Sequence, residues 1–524
     1  MPRFVTADEA ASHIQNHMKM AIGGFSTSGS ADAVLRAIAR RYNAEGNPTD
    51  LTLICPTCAG DKKEGGYGLT AIGIEGLVTK IITSRIGNSP AIERLAGQNK
   101  MATFVYPMGI FGQVFRAMTA HRPGILTHIG KYTFCDPRVE DGKMNDLAKE
   151  SNDEYVQVVE LNGKDYLFYK AFDIDVALIR GSYADEDGNI TLKNEVLPAE
   201  SAEMAHAVHN NGGIVIAQVQ KVVARGSIMP KEVNIYNRAV DYIVVADPED
   251  HPFSYADRDY RPELLNFVRV PAASIPPMDL DIRKVIARRG ALELKKNALV
   301  NLGLGISDGV SIVANEEGLS KDLTFTIETG IFGGVPLAGP RMGTGVNAEA
   351  IYKLPDTFDA YDGGMLDQAF LSFAECDEEG NVNVSKFGVN KIVGPGGFIN
   401  ISQNSKKICF MATFTAKGLD VGFEGGKVNI IQEGAQKKFV KKVQQITFSG
   451  RYAIESGQEV YYVTERGVFR LTPEGLELFE IAPGVDLEKD ILANMEFTPK
   501  IAADLKVMDQ RLFLEEKMGL SFDD

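Results

Sequence analysis

Residues 20–60 and 301–334 follow one plan: an apolar strand, a glycine turn, an amphipathic helix and a second strand. A chain that writes this β-α-β unit twice is committed to two related α/β halves. In the first copy Met20 to Ile22 run into Gly23, Gly24 and Phe25. Val34, Leu35, Ile38 and Tyr42 then share a helical face, and Leu51 to Ile54 form the second strand. In the second copy Leu299 to Leu302 run into Gly303 and Gly305, Val310 and Val313 mark the helix, and Leu323 to Thr326 follow. A later stretch repeats without a gap, because residues 175–190 align on residues 367–382 with six identities in sixteen, each reading as a buried strand that meets an acidic Gly-Asn turn. That turn resembles part of a calcium loop but lacks the ligand spacing and the closing glutamate, so it reads as a turn.

The expected architecture is α/β, with two related open α/β domains carrying mainly parallel sheets in tandem and a β-rich segment near the C-terminus. The boundary falls in the proline-bearing stretch Pro271 to Met278, giving domains 1–277 and 278–524, with a helix expected around Leu280 to Leu294. The first half carries an insertion around residues 61–165. At 524 residues the chain exceeds the size at which one core stops growing. A net charge of −15 argues against nucleic acid or an anionic membrane as partner. No apolar run reaches membrane-spanning length and the start lacks an apolar signal segment, so a cytoplasmic protein is expected. Five scattered cysteines make no disulfide framework, and Cys55 and Cys58, although a C-x-x-C, lack a second such pair for zinc. No metal site is expected.

The second strand of the second copy ends on Glu328 and breaks into Gly330, Gly333 and Gly334. At the C-terminal tip of a parallel strand this carboxylate would face the crevice where open α/β sheets bind ligands, with the glycines aiming N–H groups at the ligand. The alternative is an ordinary turn with its glutamate in solvent. Aligning Asp50 on Asp322 puts Pro56 opposite Glu328, so the carboxylate belongs to one copy only, which favours chemistry over structure.

All seven histidines lie between residues 13 and 251. A serine nucleophile at Ser307, within a G-x-S-x-G, therefore lacks the later histidine that a hydrolase elbow needs. Gly303 and Gly305 form an imperfect dinucleotide fingerprint. A glutamate without a histidine suits transfer of coenzyme A between acids, since carboxylate and thiolate exchange charge with no general base. The protein must then supply N–H donors for the oxyanions and exclude water, a role open to Ile327, Ile331 and Phe332.

Asn301 to Gly305, Glu328 to Gly330, Tyr361 to Gly364, Gly380 to Asn383 and Gly394 to Phe398, with Phe134 to Arg138 and His209 to Gly213, resemble class I CoA-transferases. The likeness is greatest to the acetate and propionate branch with both halves fused. It implies that Glu328 attacks an acyl-CoA and passes through an anhydride to a glutamyl-CoA thioester in a ping-pong cycle. It also implies that Gly303, Gly305, Gly396 and Gly397 line the CoA or oxyanion cleft, with Gly23, Gly24 and Phe25 on the acyl side. Coenzyme A would be a substrate, no cofactor would be permanently bound, a short-chain carboxylate would be the second substrate, and a homo-oligomer, tetramer or dimer, would be the working form. Met108 and Met365 depart from the family pattern and are candidates for reshaping the acyl pocket or for filling core gaps. The pairs Lys406 and Lys407, Lys437 and Lys438, and Lys441 and Lys442 are candidates for the CoA phosphates. An acyl-CoA hydrolase on the same scaffold and a non-catalytic metabolite-binding module are the alternatives.

Overall fold

A computed structural model describes residues 1–271, 276–303, 305–337 and 339–522. A nine-stranded sheet holds, in order, Arg3–Val5, Tyr242–Val245, Ile214–Val223, Val176–Asp185, Lys19–Ile22, Leu51–Cys55, Val78–Thr83 and Ala102–Val105, all parallel, with Ile190–Thr191 added antiparallel. Continuous apolar runs suit a sheet buried on both faces, and Met20, Ala21, Ile22, Val176 and Ala177 are fully buried.

A second, ten-stranded sheet has a parallel centre in the order Thr324–Ile327, Leu299–Leu302, Gln368–Ser372, Lys407–Met411 and Glu459–Val463. Antiparallel strands extend it on both sides, and the β-rich end of the chain forms one of these flanks through Gly467–Thr472 and Gly475–Ile481.

The two centres share one strand order. Val176–Asp185, Lys19–Ile22 and Leu51–Cys55 lie side by side as Gln368–Ser372, Leu299–Leu302 and Thr324–Ile327 do. The likeness extends to single hydrogen bonds: the Asp175 carboxylate accepts from the Lys19 N–H at 2.7 Å, and that of Asp367 accepts from the Leu299 N–H at 3.0 Å. Both acidic turns are closed the same way. Asp185 Oδ1 accepts from the amides of Asp187 and Asn189, and Asp377 Oδ1 from those of Glu379 and Asn381.

Two expectations change. The insertion at 61–165 contributes Val78–Thr83 and Ala102–Val105 to the main sheet, and only Gly124–Thr127, Val156–Leu161 and Lys164–Lys170 form a separate antiparallel sheet. The helix after the boundary is Ile282–Ala291, started by the Asp281 side chain accepting from the Lys284 N–H. The expected division after residue 277 sits next to residues 272–275, which lie outside the described residues.

Candidate active site

Thr324–Ile327 delivers Glu328 to the C-terminal edge of the second sheet. Hydrogen bonds fix this strand from behind. Thr326 Oγ1 donates to Ile331 O at 2.8 Å and meets the buried Tyr361 hydroxyl at 2.7 Å, while Asn301 Nδ2 donates to Thr326 O at 3.3 Å.

The glycines after Glu328 serve a different purpose from the one expected. The chain reverses at once into an antiparallel pairing of Ile327 with Ile331, so the Gly330 N–H goes to Ile327 O and the Gly333 N–H to Phe325 O. Gly330 has φ +113°, and a Cβ there would stand 1.9 Å from Tyr352 O. These glycines hold the carboxylate at the tip of a tight hairpin rather than offering donors to a ligand. Of the three residues expected to exclude water, Ile327 lines the cavity, whereas Ile331 and Phe332 are buried beside it.

A cavity of about 230 Å³ opens in front of Glu328. The first half supplies Phe25, Ser26, Thr57, Arg85, Asn88 and Met108; the second supplies Gly303, Ile327, Gly343, Gly396, Gly397 and Phe398. Gly397 comes closest to the carboxylate, since a Cβ added there would lie 3.4 Å from Glu328 Cγ and 3.1 Å from Phe358 Cζ. Its own N–H has no hydrogen-bond partner among the described residues. By contrast the Gly396 N–H is held by Ser84 O at 3.1 Å, the Gly303 N–H by Phe370 O at 2.7 Å and the Gly23 N–H by Leu178 O at 3.0 Å.

Gly23, Gly24 and Gly305 stand just outside the lining: a Cβ on Gly24 would meet Ser30 Oγ and Ala59 Cβ, and one on Gly305 would meet Ser372 Oγ. Met108 is in the cavity wall, with its Cε 3.2 Å from where a Gly396 Cβ would be. Met365 is 49% exposed and outside the lining, so it does not shape the pocket.

The wall is sewn together across the halves. Met108 N–H donates to Gly396 O at 3.2 Å, Ile86 N–H to Val393 O at 2.8 Å, and Gly109 N–H to Asn400 Oδ1 at 3.2 Å. Ser84 Oγ also donates to Pro56 O, binding together two adjacent strand tips of the first half.

Burial pushes the Glu328 carboxyl above its ordinary 4.5, opposed by its own backbone N–H and by the charge of Arg85. Arg85 is itself lowered by burial and pulled back up chiefly by Glu328. Sequence reasoning missed this arginine because residues 61–165 were read as an insertion. The signal was present, since the apolar run Val78–Thr83 ends two residues before Arg85 and strand tips are where such sheets bind ligands. Ser26, Thr57 and Asn88 were missed as well, each being a polar residue in a loop at the same sheet edge. Cys58 also lines the cavity. Its Sγ lies 3.8 Å from Cys55 Sγ with both thiols free, and burial raises it well above the ordinary thiol value, which makes it a poor nucleophile.

None of the candidate lysines lines the cavity. Lys406 pairs with Asp367, and Lys407 is buried against Glu293 and Glu459. Lys437 donates to the carbonyls of Ala493 and Met495, and Lys438 is pushed down to about 8 by burial. Among the described residues no group of three or more His, Cys, Asp or Glu side chains is arranged to hold a metal ion, and no helix is long and apolar enough to cross a membrane.

The family pattern described as coenzyme A transferase matches residues 4–246. The chain is 44% identical to caffeate CoA-transferase of Acetobacterium woodii, over 99% of each protein. The chain belongs to the coenzyme A transferase family. Acetate CoA-transferase YdiF of Escherichia coli K12 is 43% identical over 98% of this chain and 96% of its own. The crystal structure of acyl-CoA transferase apoenzyme from E. coli O157:H7 matches with a TM-score of 0.93 at 42% identity, covering 99% of this chain and 97% of that one. A thioester complex of that transferase with CoA matches with a TM-score of 0.92. The family pattern ends within the first half, while these relatives span both halves of this coenzyme A transferase, including the strand that carries Glu328.

Proposed function

We propose that this chain transfers coenzyme A between a short-chain acyl-CoA and a free monocarboxylate, with Glu328 as the nucleophile. The observation that carries this reading is a carboxylate at a strand tip, facing a cavity shared by the two halves, with no histidine in the lining and with the other lining carboxylate, Asp308, paired to Arg283. A Glu328 oxygen attacks the acyl carbonyl, the C–S bond breaks, and CoA leaves as a thiolate. The thiolate then attacks the Glu328 carbonyl of the anhydride, the C–O bond breaks, the first acid leaves as its carboxylate, and a glutamyl-CoA thioester is left. A second carboxylate reverses the two steps. No proton moves, so the missing base is no obstacle. The Gly397 amide is the candidate oxyanion donor, a contribution of about 3 kcal/mol for a well-placed donor. Leu302, Ile327, Leu371, Phe398 and Ile401 make the wall apolar, which disfavours water as acceptor.

Acetate, propionate and acids of similar size fit the reading, and Met108 and Met342 supply an adaptable apolar end to the pocket. The chain is also proposed to work as a homo-oligomer, a reading that exposed apolar side chains such as Met229, Tyr236 and Val245 support and that light scattering tests. To test the chemistry, the protein is incubated with acetyl-CoA and weighed intact. The wild type is expected to gain the mass of CoA less one water and the Glu328→Ala variant to gain nothing. A wild type that forms no adduct would overturn the mechanism.

A further inference from the structure

Arg85 is the only cationic side chain among the described residues that line the cavity. It stands at a strand tip of the first half, while Glu328 stands at a strand tip of the second. No carboxylate oxygen of a described residue lies within 4.0 Å of its guanidinium, and its buried Nε has no hydrogen-bond partner. The backbone around it is fixed: Arg85 O accepts from the Cys58 N–H at 2.8 Å, and the next residue, Ile86, is bound to Val393. A buried guanidinium held on a rigid tip, facing a carboxylate across open space, has donors to offer and no anion in contact to take them.

The chemistry of the cycle says which anion that is. Along the whole sequence of bond changes one negative charge is handed on, from Glu328 to the CoA thiolate and then to the departing acid. Once that acid has gone, the thioester on Glu328 is neutral, and Arg85 has lost the negative charge that acts on it most strongly, keeping only the weaker attraction of Glu93.

We propose that Arg85 is the carboxylate-binding residue of this site, holding the departing acid and recruiting the acceptor acid while Glu328 is esterified. This rests on the CoA-transfer reading above. It assigns the choice of acid over water to a fixed charge in addition to the dryness of the wall. A guanidinium also suits a planar carboxylate, which it can hold with two parallel hydrogen bonds.

The test uses the full chain and acetate as probe. In a Glu328→Gln protein the amide is neutral, as the thioester is, and NMR titration is expected to show acetate binding. Adding Arg85→Met is expected to weaken that binding at least about tenfold, and Arg85→Lys to restore most of it. In otherwise wild-type protein at pH 8, Arg85→Met is expected to slow formation of the CoA adduct from acetyl-CoA, because the departing acid loses its cation. Its KM for acetate as acceptor should rise at least about tenfold. Equal acetate affinity with and without Arg85 would overturn the proposal, as would an Arg85→Lys protein as defective as Arg85→Met. Failure of the wild type to form any adduct would instead overturn the CoA-transfer reading, while the acetate titration would still decide the role of Arg85.

Discussion

Two equivalent strand tips, one per half, end in different chemistry. Leu51–Cys55 ends at Pro56, and the chain goes on to add parallel strands that lengthen its sheet. Thr324–Ile327 ends at Glu328, and the chain doubles back within three residues to an antiparallel partner. The strands that follow in each sheet order match down to single Asp-to-amide and Asx-turn hydrogen bonds. The duplicated framework thus fixes where a ligand can bind, and the residue at the tip decides what happens there. The first half contributes Thr57, Arg85 and Met108 to the wall; the second contributes the rest of the wall and the attacking group.

The sharpest way to break this comparison is to move the attacking group without removing it. Glu328→Asp withdraws the carboxylate by about 1.5 Å, and a loss of about 10² to 10³ in adduct formation is expected by rapid-quench mass spectrometry, with the fold retained by circular dichroism. Next comes the position two residues beyond each tip. Gly330→Ala puts a Cβ on the Tyr352 carbonyl and is expected to cost more than about 3 kcal/mol in denaturant unfolding, whereas Cys58→Ala, its counterpart, loses only a small buried group, about 1 kcal/mol.

A third test uses the charge. Because the folded protein holds Glu328 above 4.5, the native state binds the extra proton over the interval between the unfolded and folded values, and stability falls as pH rises through it. Glu328→Gln is therefore expected to melt at a higher temperature than the wild type above that interval. The advantage should fade below pH 4.5. Calorimetry across pH reads this directly, and a constant difference would show that burial does not strain the carboxylate. The smallest expected effect sharpens the likeness: Asn189→Ala and Asn381→Ala should each cost about 1 kcal/mol and leave adduct formation unchanged, since each removes the same turn contact in its own half.

Much of this was legible in the residues. The repeat at 175–190 and 367–382 specified matching strands because buried strands and Asx turns have strict local requirements, and the fold reproduces both. Glu328 was legible because a lone carboxylate before a glycine run has no counterpart at Pro56. What the residues did not show was the use of those glycines: whether an N–H faces a ligand or closes a hairpin depends on where Tyr352 and Phe325 lie, and pairing across a turn is not written in either partner. Arg85 was hidden for a related reason. It meets Glu328 only when two strand tips more than two hundred residues apart face each other, and no local pattern announces that juxtaposition. Met365 stood out by motif yet is exposed, because the turn after Leu354–Asp362 faces away from the cavity.

The segment from Val393 to Gly397 is bonded to both halves, to Ser385 in the second and to Ser84, Ile86 and Met108 in the first. Mechanically it is a latch. The stretch that bonds the halves together also carries Gly397 beside Glu328, so the join between the halves and the amide nearest the carboxylate are one piece of backbone.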